Sequence, residues 1–190
     1  MLEADATLEW IAGLFPVLPR RTRRASLMFT DLEGFSAHAA ARGDRAAVAL
    51  LRRHDTAALP AIRRHMGRVV KRLGDGLMVV FASPRDAVAA ALAMQSGAAQ
   101  ARVRLRIGIH HGEMRTHDGD LVGHDVNVAA RIAARAPGGC VLVSAPVRSA
   151  AAGLPAVFRQ RHALVVAERP PIPLYEVTPP PGSAARRRSP

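Results

Sequence analysis

A chain of 190 residues with 49% apolar content has room for one domain with an ordinary buried core, and is too apolar to remain a disordered polyelectrolyte. Its single cysteine, Cys140, excludes an internal disulfide and suits a reducing compartment, where its neighbours Val141, Leu142 and Val143 predict a buried strand thiol. The net charge of +12 invites a nucleic-acid reading, but arginines cluster at 20–24 and 186–188, the others are scattered, and 4% aromatic residues leave few platforms for stacked bases; specific nucleic-acid binding is not expected.

Along the chain, residues 1–24 form an arm with one short amphipathic segment (Leu8, Trp10, Ile11, Leu14, Phe15) stopped by Pro16 and Pro19. Its acidic residues precede the apolar run, the wrong charge order for a secretory signal, and no segment reaches the ~18 apolar residues of a membrane span. A cytoplasmic protein without membrane contact is expected. Residues 25–177 read as one folded domain. Ala25–Thr30 predicts a strand, and Asp44–Met66 has helical periodicity, with Pro60 expected to kink or split it. Gly67–Leu73 and Leu77–Phe81 flank Gly-Asp-Gly as the arms of a hairpin.

Pro84 suits the first turn of a helix reaching about Ala99, read as an ordinary surface helix. Arg104–Glu113 alternates polar residues with Leu105, Ile107 and Ile109, predicting a strand with one solvated face. Asp125–Ala134 predicts a helix closed by Pro137-Gly138-Gly139; Cys140–Val143 and Leu174–Val177 are late strands. Residues 178–190, rich in Pro, Ser and Arg, read as a disordered basic tail. The order suits an antiparallel-rich α+β sandwich with helices on one sheet face.

Two carboxylates stand out. Asp31 ends an apolar strand and Asp75 occupies a hairpin tip, so adjacent strands can bring them together. Close carboxylates repel, and a divalent cation is their usual stabilising partner; magnesium accepts one or two carboxylates plus substrate phosphates. Taken singly, Asp75 also reads as a turn residue and Asp31 as a helix cap. Residues Glu33–Ser36 lead into a helix whose amides can receive phosphate oxygens, and Gly34 permits close backbone approach; Gly34 and Phe35 are therefore candidate substrate-binding positions. Lys71 is the one lysine among 27 basic side chains, and Asn127 is the one asparagine in the chain. Asn127 and Arg131 stand four apart on a predicted helix, aimed from one face at one ligand.

Phe-Thr-Asp-Leu-Glu-Gly-Phe-Ser (29–36), Val-Val-Lys-Arg-Leu-Gly-Asp-Gly-Leu-Met-Val-Val-Phe (69–81) and Gly-His-Asp-Val-Asn-Val-Ala-Ala-Arg-Ile (123–132) resemble the class III nucleotidyl cyclase catalytic domain, from about Ala25 to Val177. The resemblance implies a ferredoxin-like βαββαβ core with C-terminal additions. It implies that Asp31, Asp75 and the Leu32 carbonyl hold two Mg2+ or Mn2+ ions. Lys71 and Asp120 would read the adenine edge, a cation for N1 and a carboxylate for the 6-amino group. Asn127 would orient the ribose, and Arg131 would stabilise charge on the α-phosphate. Arg169 is the candidate cation for the terminal phosphates, although Glu168 stands where relatives often have glycine.

The activity so implied is adenylate cyclase, converting ATP to 3′,5′-cyclic AMP and pyrophosphate at sites shared across a homodimer. The alternatives are a guanylate cyclase, a silent nucleotide-binding module regulating a partner, and an arginine-rich nucleic-acid binder. His110, His111, His117 and His124 lack compact ligand spacing, and adjacent strand residues His110 and His111 face opposite sides, so zinc is not expected.

Overall fold

The structure, a computed structural model, describes residues 23–117, 120–166 and 169–182. Strands β1 (Arg23–Leu32), β2 (Arg68–Leu73), β3 (Gly76–Phe81) and β4 (Leu105–His117) alternate with helices α1 (Phe35–Arg64) and α2 (Pro84–Gln100). Then follow β5 (Asp120–Val122), α3 (His124–Arg135), β6 (Val141–Ser144), α4 (Ala145–Ala150), β7 (Val157–Leu164) and β8 (Ile172–Thr178). The sheet order is β2-β3-β1-β4-β6-β8-β7, with β5 paired to β4 alone. Its first four strands are the expected ferredoxin-like arrangement. The β4–β6 pair is parallel, so the chain crosses over between them, and α3 is that crossover.

This crossover corrects one expectation. Helices α1 and α2 cover one face, where Met28, Val79, Phe81, Ile107 and Ile109 meet Ala58, Ala61, Ala91 and Met94. Helix α3 lies on the other, its Val126, Ala129 and Ala133 packed on Ala25, Leu27, Phe29 and Met78. Strand β4 therefore has no freely solvated face: a Cβ at Gly108 would stand 2.1 Å from the Ala133 nitrogen, so glycine lets α3 sit directly on the strand. Helix α2 is likewise more than a surface helix, because Ala87, Ala90, Ala91 and Ala98 are buried between sheet and α1. The high alanine content permits this: a Cβ at Gly97 would meet the Ala57 Cα at 3.2 Å.

Local punctuation explains the boundaries. Ser83 caps α2 by accepting from the amides of Arg85 and Asp86, with Pro84 next in the first turn. The break in α1 falls at Gly43 (φ 75°), not at Pro60. Pro60 is exposed, so the carbonyl it cannot serve is left to water. The β2–β3 hairpin closes on Gly74-Asp75 with Leu73 opposite Gly76, and a bulge between Val69 and Lys71 re-aims β2. Arg23 and Arg24, read as part of the arm, open β1 opposite Met114 and Glu113. Cys140 precedes β6 rather than lying inside it; it is half-buried, with Sγ 3.6 Å from Glu176 Oε1. The amphipathic segment and the terminal arginine cluster lie outside the described residues, as do Asp118, Gly119, Ala167 and Glu168.

Candidate active site

The structure brings the two carboxylates together. Asp31 leaves the end of β1, and Asp75 at the hairpin tip accepts the Leu32 amide through Oδ2 at 3.0 Å. Burial raises the Asp31 pKa above the ordinary carboxylate range, and the charge of Asp75 raises it further. The two acidic side chains and the neighbouring Leu32 carbonyl form a hard-oxygen donor set of the kind magnesium or manganese takes. Gly34 adopts φ 76° as the residue before α1, and a Cβ there would meet nothing within 4 Å; its role is the turn, not close packing. Phe35 is the first residue of the helix, four positions after Asp31, and packs on the core.

Arg106 is a residue the sequence reading missed. It stands opposite Asp31 in the β1–β4 ladder, with Nη1 3.7 Å from Asp31 Oδ2. Its Nε is buried without a hydrogen-bond partner. The alternation of β4 marked Arg106 only as polar; its partner emerges from the pairing register. Glu33 is also explained by tertiary contacts. Its carboxylate accepts the Gly138 amide at 3.0 Å and pairs with Arg104 Nε at 3.0 Å, tying the loop after β1 to the turn after α3.

Lys71 on β2 and Asp120 on β5 form an ion pair, both partly open to solvent. The β4–β5 hairpin curls over the α3 side of the sheet to make it: Leu121 and Met114 pack there with Met78 and Val80. On α3, Asn127 and Arg131 are exposed while Val126, Val128, Ala129 and Ile132 are buried, so both polar groups point away from their own core. They line a shallow cavity with His124, Val128 and Val166. Arg169 donates its backbone N–H to the Val166 carbonyl at 3.3 Å but does not itself line the cavity. None of Asp31, Asp75 or Lys71 lines that cavity.

His110 and His111 do face opposite ways: His110 Nδ1 is 2.8 Å from Ser144 Oγ, and His111 Nδ1 is 3.0 Å from Ser26 Oγ. Burial lowers both pKa values. Asp125 joins the His110 side, 3.6 Å from Nε2, while accepting the Glu113 amide. These contacts seat the N-terminal turn of α3 on β4 and β6. No helix among the described residues is long and apolar enough to cross a membrane.

The model of the adenylate and guanylate cyclase catalytic domain matches residues 17–173. The chain belongs to this family. It is 36% identical over 132 residues to the putative adenylate cyclase 3 of Rhizobium meliloti, a match covering 65% of this chain and 22% of that protein. An uncharacterised protein of Mycobacterium tuberculosis is 34% identical over 131 residues, covering 68% of this chain and 35% of its own length. The chain thus spans about a fifth to a third of these relatives.

Among solved structures, the fold resembles the adenylyl cyclase CyaB from P. aeruginosa, with TM-score 0.72, 23% identity, and coverage of 83% of this chain and 95% of that one. It also resembles the guanylyl cyclase Cya2, with TM-score 0.75, 21% identity, and coverage of 87% and 97%. The catalytic domain fold is therefore common to proteins named for either nucleotide, and the base preference rests on this chain's own residues.

Proposed function

We propose that this chain is an adenylate cyclase that converts ATP to 3′,5′-cyclic AMP and pyrophosphate at two equivalent sites shared across a head-to-tail homodimer. The observation that carries the reading is the Lys71–Asp120 pair on an open face, a donor and an acceptor side by side. Adenine presents the complementary acceptor and donor at N1 and its 6-amino group, whereas guanine inverts both demands. Lysine suits the role better than the arginine this chain uses elsewhere, because it offers a compact donor rather than a planar fork.

In this reading one protomer supplies Asp31, Asp75 and the Leu32 carbonyl, and its partner supplies Lys71, Asp120, Asn127 and Arg131. Asn127 and Arg131 are exposed and line a cavity that their own chain's carboxylates do not line, which supports that division. Magnesium or manganese bound to the aspartates would acidify the ribose 3′-hydroxyl and neutralise the triphosphate. Asn127 orients the ribose. Arg131 meets negative charge as it grows on the α-phosphate, in a position set before the reaction by α3. Arg106, beside Asp31 with an unpartnered Nε, and Arg169, bonded through its backbone to Val166, are cations available to the remaining phosphate oxygens. Gly34 and Phe35 present the start of α1, where amides point outward.

Assay of ATP and GTP side by side tests the base assignment: cyclic AMP is the expected product, and exclusive use of GTP would overturn it. Mixing tests the shared site. Asp31→Ala and Arg131→Ala chains are each expected to be inactive, and their mixture to recover activity through heterodimers with one intact site. No recovery despite demonstrated exchange of protomers refutes the division of labour.

A further inference from the structure

Beneath the two carboxylates, on the α1 side of β1, runs a chain of hydrogen bonds that the proposed chemistry does not use. Leu77, two residues beyond Asp75, donates its backbone N–H to Thr30 Oγ1 at 3.0 Å. Thr30, the residue before Asp31, lies 3.2 Å from His54 Nε2. His54 Nδ1 is 3.0 Å from Asp55 Oδ1, and Arg72 Nη2 holds both oxygens of Asp55, at 2.7 and 2.8 Å. His54 is 0% exposed and Thr30 5%.

Chemistry assigns the direction of each bond. The Asp55 carboxylate only accepts, so the His54 proton sits on Nδ1. Burial lowers the His54 pKa and keeps the ring neutral, so Nε2 is an acceptor. The Thr30 hydroxyl then donates to Nε2 while its oxygen receives the Leu77 amide. Every member is satisfied in one orientation.

The backbone ladder shows why this matters. Pairing of β1 with β3 runs from Ser26↔Phe81 only to Phe29↔Met78, short of both Asp31 and Asp75. Beyond it, the Leu77 amide is taken by the Thr30 side chain instead of a backbone carbonyl. The approach there is tight, since a Cβ at Gly76 would stand 1.9 Å from the Thr30 carbonyl oxygen. An imidazole buried among Ala57, Ala58, Ala61 and Ile62 is also costly, because an apolar side chain would satisfy that core without desolvating a ring. We infer that His54 is a positioning residue: by orienting the Thr30 hydroxyl it sets the spacing between Asp31 and Asp75, and with it the affinity of this half-site for a divalent cation. The inference rests on the reading of those two aspartates as metal ligands.

The test is Mn2+ binding to the full chain in the presence of a non-cyclisable ATP analogue, followed by electron paramagnetic resonance. His54→Leu, which fills the volume without the bonds, is expected to bind Mn2+ roughly 10-fold or more weakly, the usual scale for losing an outer-shell partner. His54→Gln, whose amide can accept from Thr30 and donate to Asp55, is expected to bind like wild type. In mixed dimers His54→Leu should be rescued by Arg131→Ala, whose carboxylate half is intact, and not by Asp31→Ala. A general folding defect would not distinguish those two partners.

If His54→Leu fails to fold, Thr30→Val removes the same hydroxyl almost isosterically and carries the same expectation. Wild-type Mn2+ affinity in the folded Leu or Val variant overturns the inference, as does His54→Gln binding as weakly as His54→Leu. If Asp31→Ala and Arg131→Ala fail to complement each other, the shared-site reading falls, while the Mn2+ measurement still judges His54. If Asp31→Ala binds Mn2+ like wild type, the metal reading and this inference fall together.

Discussion

On the face beneath α1 and α2, Met28, Val79, Ile107 and Ile109 are sealed from water. On the face beneath α3, the same strands present Leu27, Phe29, Met78 and Val80, covered only as far as α3 and the β4–β5 hairpin reach. Past that cover the same side of the sheet carries Asp31 and Lys71, and the outer side of α3 carries Asn127 and Arg131, all reachable by a ligand. One face uses close packing to hold the fold. The other leaves charged groups uncovered; under the proposed function these meet a triphosphate, and burying them beforehand would carry a large desolvation cost.

The contrast breaks most readily at Arg131. Arg131→Ala should lower the cyclisation rate roughly 10²–10³-fold with little change in melting temperature, because an exposed donor contributes to the transition state and not to the core. A variant that keeps more than a tenth of the rate would place the chemistry elsewhere. Asp75→Asn sharpens the comparison by separating function from stability. Activity should be lost, while metal-free stability should equal or exceed wild type in urea denaturation, since the amide oxygen can still accept from Leu32 and the repulsion of Asp31 is gone. On the sealed face the pattern should reverse: Met28→Ala is expected to cost about 2–5 kcal/mol.

Acidification should have the smallest effect. Burial depresses the folded-state pKa values of His54, His110 and His111, so the unfolded chain takes up protons first. Their contribution to stability is complete above the unfolded value of about 6.5 and is lost as pH falls below it. A loss of about 1 kcal/mol or more, a fall of roughly 2–4 °C between pH 7.5 and 5.5, is expected by thermal melting. His54→Gln should flatten the profile, and a melting temperature that rises on acidification would contradict the neutral assignment.

Local signals carried much of the reading. Gly74-Asp75 marked the hairpin, Pro84 the start of α2, and Pro137 the end of α3, because each encodes a backbone conformation within a few residues. The break in α1 went to Gly43 rather than Pro60 because solvent exposure decides whether a proline's missing hydrogen bond matters. Arg106 and His54 were invisible for a different reason. Their partners Asp31 and Thr30 lie 75 and 24 residues away, and no short spacing announces them.

Read alone, the amino-acid order determined most of the elements and their sequence, though not β5, α4 or β7, and which side chains are chemically apt: paired carboxylates, one lysine, and an asparagine and arginine one helical turn apart. Only the tertiary structure decided that α3 crosses to the opposite face, that Lys71 meets Asp120, and that Asn127 and Arg131 line a cavity their own carboxylates do not line. Periodicity shows which side of a strand or helix is apolar. It does not say what covers that side, because cover depends on pairings between distant segments whose free energy exists only once the sheet has formed.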